Sequence, residues 1–201
     1  MDSNRVLTLE INNNRVIGYI NGDYTNQGIF KESYLVNEED IDLSKLAYYV
    51  LVEGKLMLEI DKYTNDCRNE LIEAYFEELD RLKLKTIENG IEWKEGLIQR
   101  GRETDKVNLT SSIQSFETAR KLKIPLKTIK WKFITKEGNY VVKEVTETDL
   151  QTLFIKGSQL LSKAIVSENI LREKIEKMSL EELESLDLEK EYQKIMLGSG
   201  N

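Results

Sequence analysis

The chain has 201 residues, with 29 Lys and Arg against 36 Asp and Glu, one Cys, one Pro and no His. Imidazole acid–base catalysis, His-based metal sites and Ser-His-Asp or Cys-His nucleophiles are therefore excluded. A single Cys also excludes an intrachain disulfide, a zinc ribbon and an iron–sulfur cluster. The net charge of −7 argues against nonspecific nucleic-acid binding by the whole chain, although residues 102–146 alone carry ten basic and five acidic side chains.

Residues 5–11 and 15–20 alternate apolar and polar around Asn12-Asn13-Asn14, which predicts a β-hairpin. Gly18, inside the second run, marks a bulge or a close backbone approach. Turn chemistry fills 21–28, and 29–36 is expected to be extended. An acidic loop follows at 38–42. Runs 46–52 and 55–60 then flank Glu53-Gly54 as a second hairpin. Residues 1–61 read as a small antiparallel β domain.

A long helix is predicted from Thr64 to about Glu88, followed by Asn89-Gly90, with residues 62–90 as a helical connector. Ile72, Tyr75, Leu79 and Leu82 form its apolar stripe. That stripe serves either packing within the chain or an oligomeric seam. Residues 91–101 look irregular. A helix over 104–122, stopped by Pro125, precedes a hairpin in which Ile129, Trp131 and Phe133 share one face. Thr146 to Asp149 carries capping chemistry for a long amphipathic helix to about Met178, and Ser179 to Glu182 opens a final helix to Met196. Expected core residues are Ile129, Trp131, Phe133, Leu153, Phe154 and Leu161, with Trp131 against the long helix near Phe154 or Leu161. The fold class is α+β: a small β domain (1–61), a helical connector (62–90), and a helix–hairpin–helix domain with a helical C-terminus (91–201).

Chemistry-bearing residues are few. Cys67 has no His to activate it. The acidic run Glu38-Glu39-Asp40-Asp42 lacks the order of a calcium loop, and Glu77-Glu78-Asp80 reads as a solvated helix face. The stretch from Arg120 to Lys132 interleaves basic residues with Trp131, a pattern that can bind single-stranded nucleic acid. Strand alternation turns Lys130 and Lys132 to water and Trp131 to the core, so no nucleic-acid partner is expected. No phosphate loop, dinucleotide fingerprint or nucleophile elbow occurs. A glycosidase would need only two carboxylates, but no segment presents such a pair as a pocket. No catalytic, cofactor-binding or metal-ligating residue is assigned. No apolar run reaches the ~20 residues of a membrane span. The N-terminal Met1 to Arg5 lacks an apolar stretch behind it, so no signal peptide and no membrane partner are expected.

Residues 8–61, through Arg15-Val16-Ile17-Gly18-Tyr19 and Glu53-Gly54-Lys55-Leu56, resemble a small β-rich domain of phage tail proteins. Residues 92–190 resemble an uncharacterised domain family encoded among, or fused to, tail-fibre genes. The carrying residues are Glu92-Trp93-Lys94-Glu95-Gly96, Asp105, Asn108, Trp131, the step from Val145 to Leu150, and Ile175 with Met178 to Leu183. The resemblance implies a non-enzymatic structural component of a phage tail or phage-tail-like bacteriocin, near the fibre or baseplate. It implies synthesis in the bacterial cytoplasm, assembly into a particle, other tail or fibre proteins as partners, and a homo-oligomer, a trimer in the first instance. A tail-fibre assembly chaperone is the alternative, and a cell-wall-degrading enzyme a remote one.

Overall fold

Turn residues with left-handed backbone build both hairpins of the N-terminal half. In the computed structural model, which describes residues 5–198, β1 (Val6–Asn12) and β2 (Arg15–Asn21) are joined by Asn13 (φ 50°) and Asn14 (φ 63°). The pair β4 (Tyr49–Val52) and β5 (Lys55–Leu58) is joined by Glu53 (φ 51°) and Gly54 (φ 76°). Two positive-φ residues match the twist of the flanking strands, and Asn and Gly tolerate them best. With β3 (Ser33–Asn37) the strands form one sheet in the order β3-β1-β2-β4-β5. The β1–β2 register shifts between Glu10 and Ile11, so Ile17 is the extra residue of a bulge next to Gly18. Leu7, Leu9, Ile11, Val16, Ile41 and Tyr49 make the core of this half. The buried Thr8 hydroxyl donates to the Gly22 carbonyl (2.7 Å) and accepts from the Tyr24 N–H (2.8 Å), which pins the turn after β2.

The acidic loop contains a short 3-10 turn at Glu38–Asp40. A second, over Leu43–Tyr48, takes the first residues of the run expected as strand from 46. Its Asp42 cap accepts from the Ser44 N–H and diverts the backbone from extended geometry.

Helix α1 (Ile60–Asn89) begins four residues earlier than the Thr64 expected, because the Tyr63 N–H already bonds the Glu59 carbonyl (3.0 Å). The chain forms two compact units, Met1–Leu71 and Ile72–Asn201, so the connector expected over 62–90 is shared between them. In the second unit follow α2 (Glu103–Lys121), β8 (Ile129–Ile134), β9 (Tyr140–Val145), α3 (Glu147–Ile175), α4 (Leu180–Glu184) and α5 (Leu188–Met196). Thr146 and Asp149 form a reciprocal capping box for α3, as Ser179 and Glu182 do for α4. The single final helix expected to Met196 is split, because Asp187 caps a new start with its side chain on the Lys190 N–H.

The stretch 91–101 is not irregular. It forms β6 (Ile91–Glu92) and β7 (Ile98–Gln99), giving a second antiparallel sheet in the order β6-β7-β8-β9. Two-residue strands leave no alternation to detect. The fold is α+β, with two antiparallel sheets and five α-helices among the described residues.

Four charges fasten α1 to α3. Glu168, 7% exposed, accepts from Lys83 (2.6 Å) and Arg172 (2.9 Å). Asp80 accepts from the same two cations, at 2.7 and 3.0 Å, and closes the ring. Lys83 and then Arg172 hold the Asp80 carboxyl below the usual carboxylate range. The Arg172 guanidinium also lies over the Phe76 ring, 4.5 Å from its centroid.

Candidate functional site

Strand β8 has one complete neighbour and one incomplete one. It pairs with β9 along its whole length, from Ile129–Val145 to Ile134–Tyr140. On the other side β7 meets it at a single position, Ile98–Ile134. Two glycines account for this. A Cβ on Gly90 would lie 1.9 Å from the Gln99 carbonyl oxygen, and one on Gly101 would lie 2.4 Å from the Ile87 carbonyl oxygen. Both contacts hold the chain beyond β7 against the end of α1, and it leaves β8 after one pair. The Thr135 N–H bonds the Asn139 carbonyl across the turn (2.8 Å), so Phe133, Trp131 and Ile129 direct their backbone groups to β9. By the same alternation Lys132 and Lys130 direct theirs to the open side, where no described strand pairs with them.

A cleft of about 520 Å³ runs along this open side, between β8 and α2. On the helix wall Asn108, Ser111 and Ser115 recur at helical spacing. Four cations line the cleft, Arg100, Arg102, Lys130 and Lys132, against one carboxylate, Asp105. Asp105 is engaged by Arg102 at 2.8 Å. Among the described residues no carboxylate forms an ion pair with Arg100, Lys130 or Lys132. The Lys132 ammonium sits 3.7 Å from the centroid of the Tyr140 ring.

Trp131 forms part of the floor. The indole is half-buried and packs against the core cluster that includes Leu150 and Leu153 of α3. Its Nε1–H donates to Gln99 Oε1 (2.6 Å), and Gln99, 6% exposed, donates its own amide to the Arg100 carbonyl (2.9 Å). The deciding acceptor lies on β7, a strand with no sequence signal. Ile129 is half-buried beside Trp131, and Phe133 is buried and stacks on Trp93 at 4.5 Å and 3°.

The other expected core positions divide by helical phase. Leu153 is fully buried with Leu150, Ala164, Leu171 and Ile175. Phe154, one residue on, is turned about 100° from that stripe and is 44% exposed. Leu161 lies on the same shoulder and is half-buried. Both rim a small apolar dent of about 90 Å³ over Gly157, where a Cβ would touch nothing within 4 Å. On α1, Leu79 and Leu82 are buried within the chain, Ile72 is half-buried, and the Tyr75 hydroxyl donates to the Leu183 carbonyl (2.8 Å). Much of the stripe that could have formed an oligomeric seam is therefore spent on packing.

Among the described residues no group of Cys, Asp and Glu side chains is placed to hold a metal ion, and no helix is long and apolar enough to cross a membrane. Cys67 is half-buried. Comparison with protein families, curated proteins and solved structures finds no match for this chain.

Proposed function

We propose that this protein acts through interfaces, as a non-enzymatic structural component of a phage tail or phage-tail-like bacteriocin near the fibre or baseplate. The observation that carries the interface reading is the open edge of β8 along a basic, polar-walled cleft. Such an edge offers backbone donors and acceptors to another chain. The sequence resemblance over 8–61 and 92–190 supplies the setting. Its partners would be other tail or fibre proteins.

The proposed homo-oligomer, a trimer, needs apolar surface other than Leu79 and Leu82. On α3, Ile155, Val166 and Ile170 are exposed and are candidates. Sedimentation equilibrium giving a monomer at about 100 μM would remove this part of the reading. The open edge also suits a chaperone that holds an unassembled fibre segment and then leaves. Mass spectrometry of purified particles separates the two. Copies of the chain in stoichiometric ratio to the fibre support the structural component, and a particle free of it, with a fibre that needs it for solubility, supports the chaperone.

A further inference from the structure

We infer that the open edge of β8 takes up an extended, acidic segment of a partner protein as an added strand. The inference rests on the interface reading of the cleft and not on the particle in which the protein works. Three independent features meet there. The ladder is free at Lys130 and Lys132, whose outward backbone groups have no strand partner among the described residues. The channel beside it is walled by short polar side chains of α2, which leave room for a backbone and offer it hydrogen bonds. The side chains of those same two lysines, with Arg100, form no ion pair with a described carboxylate; Glu144, directly opposite Lys130 on β9, offsets part of the charge at that position, and Lys132 has no such neighbour, being opposite Val142.

Charge decides the occupant. Lysines on an exposed edge repel basic or like strands, which protects a protein from random pairing. The same lysines attract a strand with carboxylates at alternate positions, since residues directly opposite on two strands share a face. The edge thus selects by repulsion as well as attraction. A single-stranded nucleic acid would match the charge, but it needs free aromatic faces. Here the Trp131 indole is half-buried and held by Gln99, and Lys132 occupies one face of the exposed Tyr140 ring, which leaves no series of free rings for successive bases.

The test uses the full chain and an acetylated, amidated octapeptide of alternating Glu and Val. Amide hydrogen exchange should slow by about tenfold or more at Lys130 and Lys132, and stay unchanged at Trp131 and Phe133, which already face β9. The matching Lys-Val peptide should bind about tenfold more weakly or worse. N-methylating the glutamates, whose amides face β8 when their carboxylates face the lysines, should weaken binding about as much. Lys132→Pro removes one outward N–H without touching the β9 ladder and should abolish protection. Should that variant fail to fold, Lys130→Glu with Lys132→Glu keeps the ladder and should reverse the preference between the two peptides. No protection at about 1 mM peptide, equal binding of the N-methylated peptide, or displacement of the peptide by oligothymidylate would each overturn the site. If the peptide fails while particles contain the chain, only this site falls. If the peptide binds while particles lack the chain, only the particle assignment falls.

Discussion

Replacing Glu168 by Ala tests whether burial or mere charge count makes the α1–α3 ring matter. Glu168 is 7% exposed and accepts two charge-assisted hydrogen bonds, from Lys83 and Arg172. Each such bond is worth about 1.5–3 kcal/mol, so the two together set an upper range of about 3–6 kcal/mol. The cations soften the loss, because their side chains are 21% and 26% exposed and both keep Asp80. A net loss of about 3 kcal/mol is expected. Asp80→Ala removes the same charge and the same number of contacts at a side chain 54% exposed, and should cost about 0.5–1 kcal/mol. Urea denaturation at neutral pH, with unchanged slope, reads both numbers. Lys83→Met in the Glu168→Ala background should then cost less than Lys83→Met alone, by about 1 kcal/mol or more. Equal losses for the Glu168 and Asp80 variants, or a Glu168→Ala loss under about 1 kcal/mol, would refute the argument that desolvation decides.

Four further outcomes are expected. Trp131→Phe keeps the ring but leaves Gln99 Oε1 buried without its donor, and should cost about 1–3 kcal/mol in the same assay. Gly90→Ala should destabilise by about 2 kcal/mol or more, since φ is +74° and the new Cβ meets the Gln99 carbonyl. Gly157→Ala should instead stabilise by about 0.5–1 kcal/mol, because the position is helical and open, and thermal unfolding of the two variants shifts in opposite directions. Lys94, and behind it the Thr146 cap, hold the Asp149 carboxyl below its ordinary value. A depressed folded pKa contributes stability above the unfolded value of about 3.9 and loses it as pH falls through the folded one. Acid denaturation should therefore be steeper in the native protein than in Asp149→Asn.

Local chemistry made much of this protein legible. Asn13-Asn14 and Glu53-Gly54 specify their turns because few residues adopt positive φ, and Thr146 with Asp149 specifies a helix start through one reciprocal pair of hydrogen bonds. The buried stripe of α3 through Leu153 follows from a 3.6-residue period, and Phe154, one step off it, falls outside the core for the same reason. The α1 stripe is legible too, but periodicity states that a face is apolar and not what covers it. The basic stretch up to Lys132 is visible as composition, but its place along an open strand edge is not. That edge depends on β7 leaving β8 after one pair, where Gly90 and Gly101 lie against the carbonyls of Gln99 and Ile87. Sequence alone therefore determined the three long helices, the hairpins β1–β2, β4–β5 and β8–β9 and the absence of His chemistry, all properties of short windows or of composition. Only the tertiary structure decided which faces are consumed by packing and which strand edge stays open, because both depend on contacts between residues far apart along the chain.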